Sequence, residues 1–272
     1  MRRALAEDIG SGDATSLACI HPESQASAQM NARETLVLAG LAFAEATFRE
    51  LAPNALIRCL AVDGQRLQPG QTVLEISGPA RALLSAERVA LNFVQRLSGI
   101  ATTTADYVEA VSGTATRILD TRKTTPGWRR FEKYAVACGG GTNHRTGLYD
   151  LILIKDNHLA ALANEKPDAI TAAVRRARSQ FPNLRIEVEA DTPDQAGRAA
   201  DAGADIVLLD NMDPPTLIEA LQRIRGRSQT EASGGITLQT VRSVAATGVD
   251  FISVGALTHS YRSVDLGLDF LL

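Results

Sequence analysis

The runs LRIEVEA (184–190), DIVLLD (205–210), QTEASG (229–234) and DFISVG (250–255) decide the fold. They begin 21 to 24 residues apart, at Leu184, Asp205, Gln229 and Asp250, with helical stretches in the gaps. That is the spacing of repeated βα units, in which a helix carries the chain back from the end of one buried parallel strand to the start of the next. RILD (117–120) and LILIK (151–155) extend the series to six, and a seventh strand is expected near Ala135–Cys138. An eight-stranded closure needs more. The fold class expected is therefore α/β, an incomplete (open) α/β barrel.

Ahead of the barrel the pattern differs. Gln25 to Gly40 alternates and ends in LVLAG, Leu41–Leu51 carries apolar residues at helical spacing, and Leu56–Val62 and Thr72–Gly78 read as strands between turns at Asp63–Gln65 and Pro69–Gln71. This predicts an N-terminal α+β sandwich domain over residues 1–98, with segment 260–272 packing beside it, and a barrel domain over 99–259. EDIGSGD (7–13) reads as a capped, solvated loop. Residues 80–110 read as one or two helices with Ser98 and Gly99 as a break, and Arg88, Asn92, Gln95 and roughly Leu84 share a face.

Composition removes several function classes. The 272 residues are 45% hydrophobic and 22% charged, ample for a large core. No apolar run reaches the ~20 residues of a membrane span, and MRRALAEDIGSGD has no apolar core of a signal peptide, so no membrane partner and a cytoplasmic location are expected. Cys19, Cys59 and Cys138 form no metal or disulfide pattern. The net charge is −3, and the bases crowd into residues 118–158, as Arg122, Lys123, Arg129, Arg130, Lys133, Arg145 and Lys155. A nucleic-acid footprint is not expected; a small anion is.

In a parallel barrel, reactive residues gather at the carboxyl ends of the strands. Those ends supply Asp120, Arg122 and Lys123, then Lys155, Glu187 and Glu189, Asp210 and Asn211, Ser233, Gly234 and Gly235, and lastly Gly255 and Ala256. The small residues of the final two ends suit a phosphate, reached by backbone N–H groups and following helix N-termini. Arg122, Lys123, Arg145 and Lys155, with His144, could surround carboxylates or phosphates, since a guanidinium binds either through parallel hydrogen bonds; ordinary surface ion pairs are the competing explanation. Glu189 and Asp210 could hold a divalent cation or stabilise developing positive charge, or pair with the lysines. Glu187 lies on the same side of its strand as Glu189, so either could serve. Gly139–Gly141 would let backbone approach a ligand, whereas His158 and His259 have no assigned partner.

These segments, EDIGSGD, ERVALNFVQRLSGIAT, LDTRKTTPG, KYAVACGGGTNHRTGLYD, LIKDNH, ADIVLLDN, ASGGI and GVDFISVGALTHS, span nearly the whole chain. Together they resemble the quinolinate phosphoribosyltransferases, the carboxylating nicotinate-nucleotide pyrophosphorylases, which are type II phosphoribosyltransferases. The resemblance implies transfer of phosphoribosyl from phosphoribosyl pyrophosphate to quinolinate with loss of pyrophosphate and carbon dioxide, giving nicotinate mononucleotide for NAD biosynthesis, with Mg2+ as cofactor. It implies a substrate pocket of Arg122, Lys123, His144, Arg145 and Lys155, joined by Arg88 from a neighbouring subunit of a homodimer or of a hexamer of dimers. Glu189 and Asp210 would serve the ribose and metal side, Ser233, Gly234, Gly235, Gly255 and Ala256 the phosphate, and Lys123, Lys155, Glu189 and Asp210 the catalysis. Two departures stand out: family members usually carry a further helix ahead of EDIGSGD, and Trp128 stands where leucine commonly follows TTPG.

Two other readings compete. A lysine at a barrel strand end, as Lys155 is, can form a Schiff base in a lyase, which borohydride trapping would reveal. A relative of the same fold could instead bind another anion without transferase activity, although TRKT, NHR and Lys155 are all retained.

Overall fold

The computed structural model describes residues 1–271, so Leu272, the last residue of the expected C-terminal segment, lies outside the described residues. The chain divides into two compact units. The first comprises Met1–Ala105, Phe131–Gly140 and the chain from Tyr261 onward; the second comprises Asp106–Arg130 and Gly141–Ser260.

In the first unit, alternation becomes a half-buried antiparallel sheet. Ala28, Met30 and Ala32 are buried on strand Gln25–Ala32, one residue in two. Leu266–Leu271 pairs with one edge of that strand and Thr72–Pro79 with the other, and Leu56–Cys59 lies beyond Thr72–Pro79. The apolar stripe of helix Leu41–Leu51, with Ala44 and Phe48, joins this sheet in one core with Leu83, Ala86, Ala90 and Val94.

Those last four residues belong to a single 31-residue helix, Ala80–Ala110, which does not break at Ser98 and Gly99. Ser98 is wholly buried, accepting the Ala39 N–H at 2.9 Å and donating to the Ala39 carbonyl at 3.2 Å. Gly99 is needed for packing, because a Cβ there would fall on the Arg262 carbonyl. Asp13 closes the EDIGSGD segment by capping helix Ala14–Cys19 through the Ser16 N–H, and Glu7 and Asp8 are already helical.

The second unit holds six parallel strands. In chain order they are Arg117–Leu119, Ile152–Ile154, Ile186–Ala190, Ile206–Asp210, Gln229–Ser233 and Phe251–Ser253. In space the first pairs with the sixth, then the fifth, fourth, third and second follow. The first and second strands are the two edges and do not pair, so the barrel is open between them. Near-continuous burial of Ile206–Leu209 is what a strand covered on both faces requires. Helix starts follow their caps: Asp168, Thr192 and Asp213 accept the N–H groups of Thr171, Gln195 and Thr216.

The expected seventh strand is not formed. Ala135–Cys138 closes the helix Arg129–Cys138, which buries Glu132, Lys133, Ala135 and Val136, the i, i+1, i+3, i+4 rhythm of a helix. What stands beside the first strand instead is one parallel bridge from Leu119 to Thr142. Gly139 also departs from its expected part, because a Cβ there would collide with the Ala101 carbonyl and Thr104. Gly139 lets helix Arg129–Cys138 end against helix Ala80–Ala110, and none of the three glycines lines the cavity at the carboxyl ends of the barrel strands.

Candidate active site

A cavity of about 570 Å³ opens in the second unit at the carboxyl ends of its strands. Arg122, Lys123, His144, Arg145, Lys155, Glu189, Asp210, Ser233, Gly234 and Gly235 all line it, as do Thr121, Asn211, Glu231 and Ser253. Gly255, Ala256 and Arg88 are not among the lining residues. Arg88 and Asn92 are exposed on one face of their helix, but Gln95 is tied inward by donating to the Leu266 carbonyl at 2.8 Å. A groove of about 660 Å³ in the first unit is larger, but no ionisable side chain lines it, so chemistry and not size singles out the barrel cavity.

The basic wall is built on the segment after the first strand. Thr121 Oγ1 accepts the Lys123 N–H at 3.0 Å, and Thr258 donates its hydroxyl to the Lys123 carbonyl at 2.8 Å. Gly255 lies against the Lys123 stem, where a Cβ would stand 3.1 Å from Cδ. Its part is to seat the lysine. Helix Ala256–His259 starts directly after it, whereas the helix after Gly235 starts only at Val241, so the SGG end offers its own backbone and not a helix terminus. Arg122 Nε is buried without a hydrogen-bond partner among the described residues. Burial, and then the charge of Arg122, lower the proton affinity of Arg145; two neighbouring guanidiniums raise the potential that attracts a dianion.

The acidic wall faces it. Lys155 Nζ donates to Glu189 Oε2 at 2.7 Å, and the Lys155 N–H donates to His158 Nδ1 at 2.9 Å, which gives His158 a capping part. His259 Nδ1 stands 2.7 Å from Ser260 Oγ. The Asp210 carboxyl is raised above its ordinary value by burial first, then by Glu189 and Asp191, with Lys155 opposing. Asn211 adopts a left-handed backbone, φ 54°, and joins two strand ends: its side chain donates to Asp210 Oδ2 at 2.6 Å and its N–H to the Ser233 carbonyl at 2.8 Å. Gly234, φ 97°, lies so close that any Cβ would strike the Asn211 carboxamide.

Beneath the pocket lies a cluster that strand-end reasoning finds only in part. His144 Nε2 stands 3.0 Å from Glu187 and 3.3 Å from Glu231, whose side chains are 0% and 1% exposed. Burial lowers the basicity of His144, but the two carboxylates outweigh it and push the ring up to about 10. Burial, then the charge of Glu231, raises Glu187. Glu231 sits inside strand Gln229–Ser233, two residues short of its end; the signal available was a charge in an otherwise buried parallel strand.

An open parallel barrel whose rim opposes arginines and lysines to carboxylates, beside a glycine-opened strand end, defines an enzyme site for anionic substrates. The chain belongs to the quinolinate phosphoribosyl transferase family: the model of the family's C-terminal domain matches residues 100–269 and that of its N-terminal domain residues 13–98. It is 45% identical over 267 residues to a probable nicotinate-nucleotide pyrophosphorylase (carboxylating) of Bacillus subtilis, covering 98% of this chain and 90% of the relative. It is 44% identical over 275 residues to the nicotinate-nucleotide pyrophosphorylase (carboxylating) of Mycobacterium leprae, covering 99% and 95%. Among solved structures, the nicotinate-nucleotide pyrophosphorylase from Francisella tularensis superposes with a TM-score of 0.93 at 41% identity, over 99% of this chain and 94% of that one.

Proposed function

We propose that this chain transfers the phosphoribosyl group of phosphoribosyl pyrophosphate to the ring nitrogen of quinolinate, releasing pyrophosphate and carbon dioxide and leaving nicotinate mononucleotide. The observation that carries it is the division of one cavity into a wall of Arg122, Lys123, Arg145 and Lys155 and a wall of Glu189, Asp210 and Ser233–Gly235. A dicarboxylate fits the first wall and a phosphorylated ribose the second.

Arg122 and Arg145 hold the two carboxylates and turn the ring nitrogen toward the anomeric carbon, replacing diffusive freedom by alignment. The unpartnered Arg122 Nε supports that part. As the bond to pyrophosphate breaks, positive charge grows on the ribose, and the carboxylates of Glu189 and Asp210 offset it. Lys123 and Lys155 offset the negative charge of the ligands, and Lys155 holds the Glu189 carboxylate in place through their 2.7 Å contact. The backbone N–H groups of Ser233–Gly235 receive the ribose phosphate, and Gly235 leaves open space where a Cβ would stand. Once the nitrogen is alkylated, its positive charge stabilises the electron pair left on the adjacent ring carbon as carbon dioxide departs, and a proton from water then forms the C–H bond of nicotinate mononucleotide.

The acids also fit magnesium: burial first, and then the charges of Glu189 and Asp191, raise the Asp210 carboxyl, and a cation relieves the part that comes from crowded negative charge. Glu189 and Asp210 would hold the ion, which supplies charge neutralisation on the pyrophosphate. The assembly proposed is a homodimer, or a hexamer of dimers, with Arg88 completing a neighbour's pocket; the exposure of Arg88 and Asn92 on one helix face supports it. No helix among the described residues is long and apolar enough to cross a membrane. The three free cysteines support a reducing, cytoplasmic location.

The test is to incubate the pure protein with quinolinate, phosphoribosyl pyrophosphate and magnesium. One carbon dioxide per nicotinate mononucleotide is expected, and no release at saturating substrate rejects the proposal.

A further inference from the structure

The His144–Glu187–Glu231 cluster is not explained by the strand-end chemistry. Carboxylates beneath a pocket for a dianion are unfavourable neighbours unless they act on something else. Neither oxygen of Glu187, nor Oε2 of Glu231, makes a well-aligned hydrogen bond, although each residue is almost wholly buried. Their close polar neighbours are each other and the ring edge of His144, which stands 3.0 and 3.3 Å away. The other ring nitrogen, Nδ1, stands 2.7 Å from the Arg145 backbone nitrogen, and the His144 backbone N–H donates to Asp120 Oδ1 at 2.8 Å. Asp120 follows the first barrel strand, Glu187 lies on the third and Glu231 on the fifth. The His144–Arg145 peptide is thus held from three strands, in a segment that itself belongs to none of them.

We propose that Glu187 and Glu231 are positioning residues for the dicarboxylate, gripping His144 Nε2–H between them and fixing, through the ring, the backbone from which Arg145 reaches the substrate. This rests on the assignment of the basic wall to quinolinate. The arrangement has a physical rationale: a buried ring held by two acceptors on sheet strands loses little further freedom when substrate arrives. It also gives redundancy. With either carboxylate neutralised, the other still accepts the Nε2–H, so Glu187→Gln and Glu231→Gln singly should have modest effects and the pair a large one.

The variants Glu187→Gln, Glu231→Gln and the double variant are compared with wild type for KM of each substrate, kcat, and ring-nitrogen and backbone-amide NMR signals of His144 and Arg145. In the double variant, KM for quinolinate should rise roughly 10- to 100-fold, the loss of a buried hydrogen bond to a charged group. KM for phosphoribosyl pyrophosphate should stay within about twofold, the independence expected of sites without shared partners. The His144 and Arg145 signals should move together. A merely structural part would lower the melting temperature and both affinities alike, and that result overturns the proposal. Wild-type protein alone supplies a check that needs no variant to fold: Nε2 must carry hydrogen, and an unprotonated Nε2 overturns the proposal. Three donors within 4.8 Å of one another could instead take a cation; zinc binding by wild type, lost in the double variant and accompanied by loss of the Nε2 hydrogen, likewise overturns it. Wild type that releases no carbon dioxide but shows the Nε2–H and the coupled shifts refutes the reaction and leaves the positioning in place.

Discussion

Replacing Gly234 by alanine tests the phosphate end of the site more sharply than removing a charge would. At φ 97° an alanine is strained by roughly 1–3 kcal/mol. Its Cβ would also overlap the Asn211 carboxamide and stand 2.9 Å from the Asn211 backbone nitrogen. Overpacking of that kind costs about 1–3 kcal/mol, so the loss should total about 2–6 kcal/mol, a fall in melting temperature of roughly 5–15 °C. Gly235 is the internal control: at φ 60° a Cβ added there would meet nothing within 4 Å, so Gly235→Ala should cost only the left-handed strain, about 1–2 kcal/mol. The collision also has a functional consequence, because Asn211 must swing away from Asp210, which it holds at 2.6 Å. Thermal melts and steady-state kinetics on Gly234→Ala, Asn211→Gly and the double variant form a cycle. Asn211→Gly removes the carboxamide and leaves only the backbone nitrogen, so the double variant should lose less than the sum of the singles. Strict additivity, or a Gly234→Ala protein no less stable than Gly235→Ala, would refute the contact and its link to Asp210.

Arg145→Ala should weaken quinolinate binding by roughly 2–5 kcal/mol; calorimetry showing unchanged affinity removes Arg145 from the pocket. Lys155→Met leaves Glu189, 11% exposed, without its cation partner, and kcat should fall about 10- to 1,000-fold while the circular-dichroism spectrum holds; an unchanged kcat contradicts the assigned part. His144 titrates in the fold at about 10, against an ordinary 6.5. Its raised value means that the linked stability is present below 6.5 and is lost as pH climbs toward about 10. The urea midpoint should decline over that window, less steeply in Glu187→Gln, and a midpoint that rises instead reverses the sign of the argument.

The barrel is legible in the sequence because its strands repeat at fixed spacing and end in residues that buried strands rarely carry. Lys155, Glu189 and Asp210 announce themselves as charges at the close of apolar runs, and all three line the cavity. Glu231 does not, because it lies inside a strand, and strand-end reasoning looks past it. Glu187 and Glu189 share a face, as period two demands, but the alternation carries no depth: only the structure separates Glu187, wholly buried beneath His144, from Glu189 at the rim beside Lys155. The segment 135–138 misleads for a different reason. Ala-Val-Ala-Cys suits a strand as well as a buried helical turn, and Arg129–Cys138 is too short for periodicity alone to arbitrate. Gly139 suggests a ligand and in fact serves a neighbouring helix; glycine records that something is close, without naming it.

The unpaired edges of the barrel separate two kinds of residue by how freely they can change. Glu187, Glu189, Asp210, Glu231 and Ser233 ride on central strands, each hydrogen-bonded to neighbours on both sides, and a shift in any of them disturbs the sheet. Arg122, Lys123, His144 and Arg145 ride on the chain that crosses the gap between the two edge strands, where Thr142 makes a lone bridge. Insertions and substitutions there leave the sheet ladder intact. The groups that would touch the base therefore sit mostly on chain outside the sheet, while the residues that hold His144 and those of the ribose-phosphate half are fixed in the sheet.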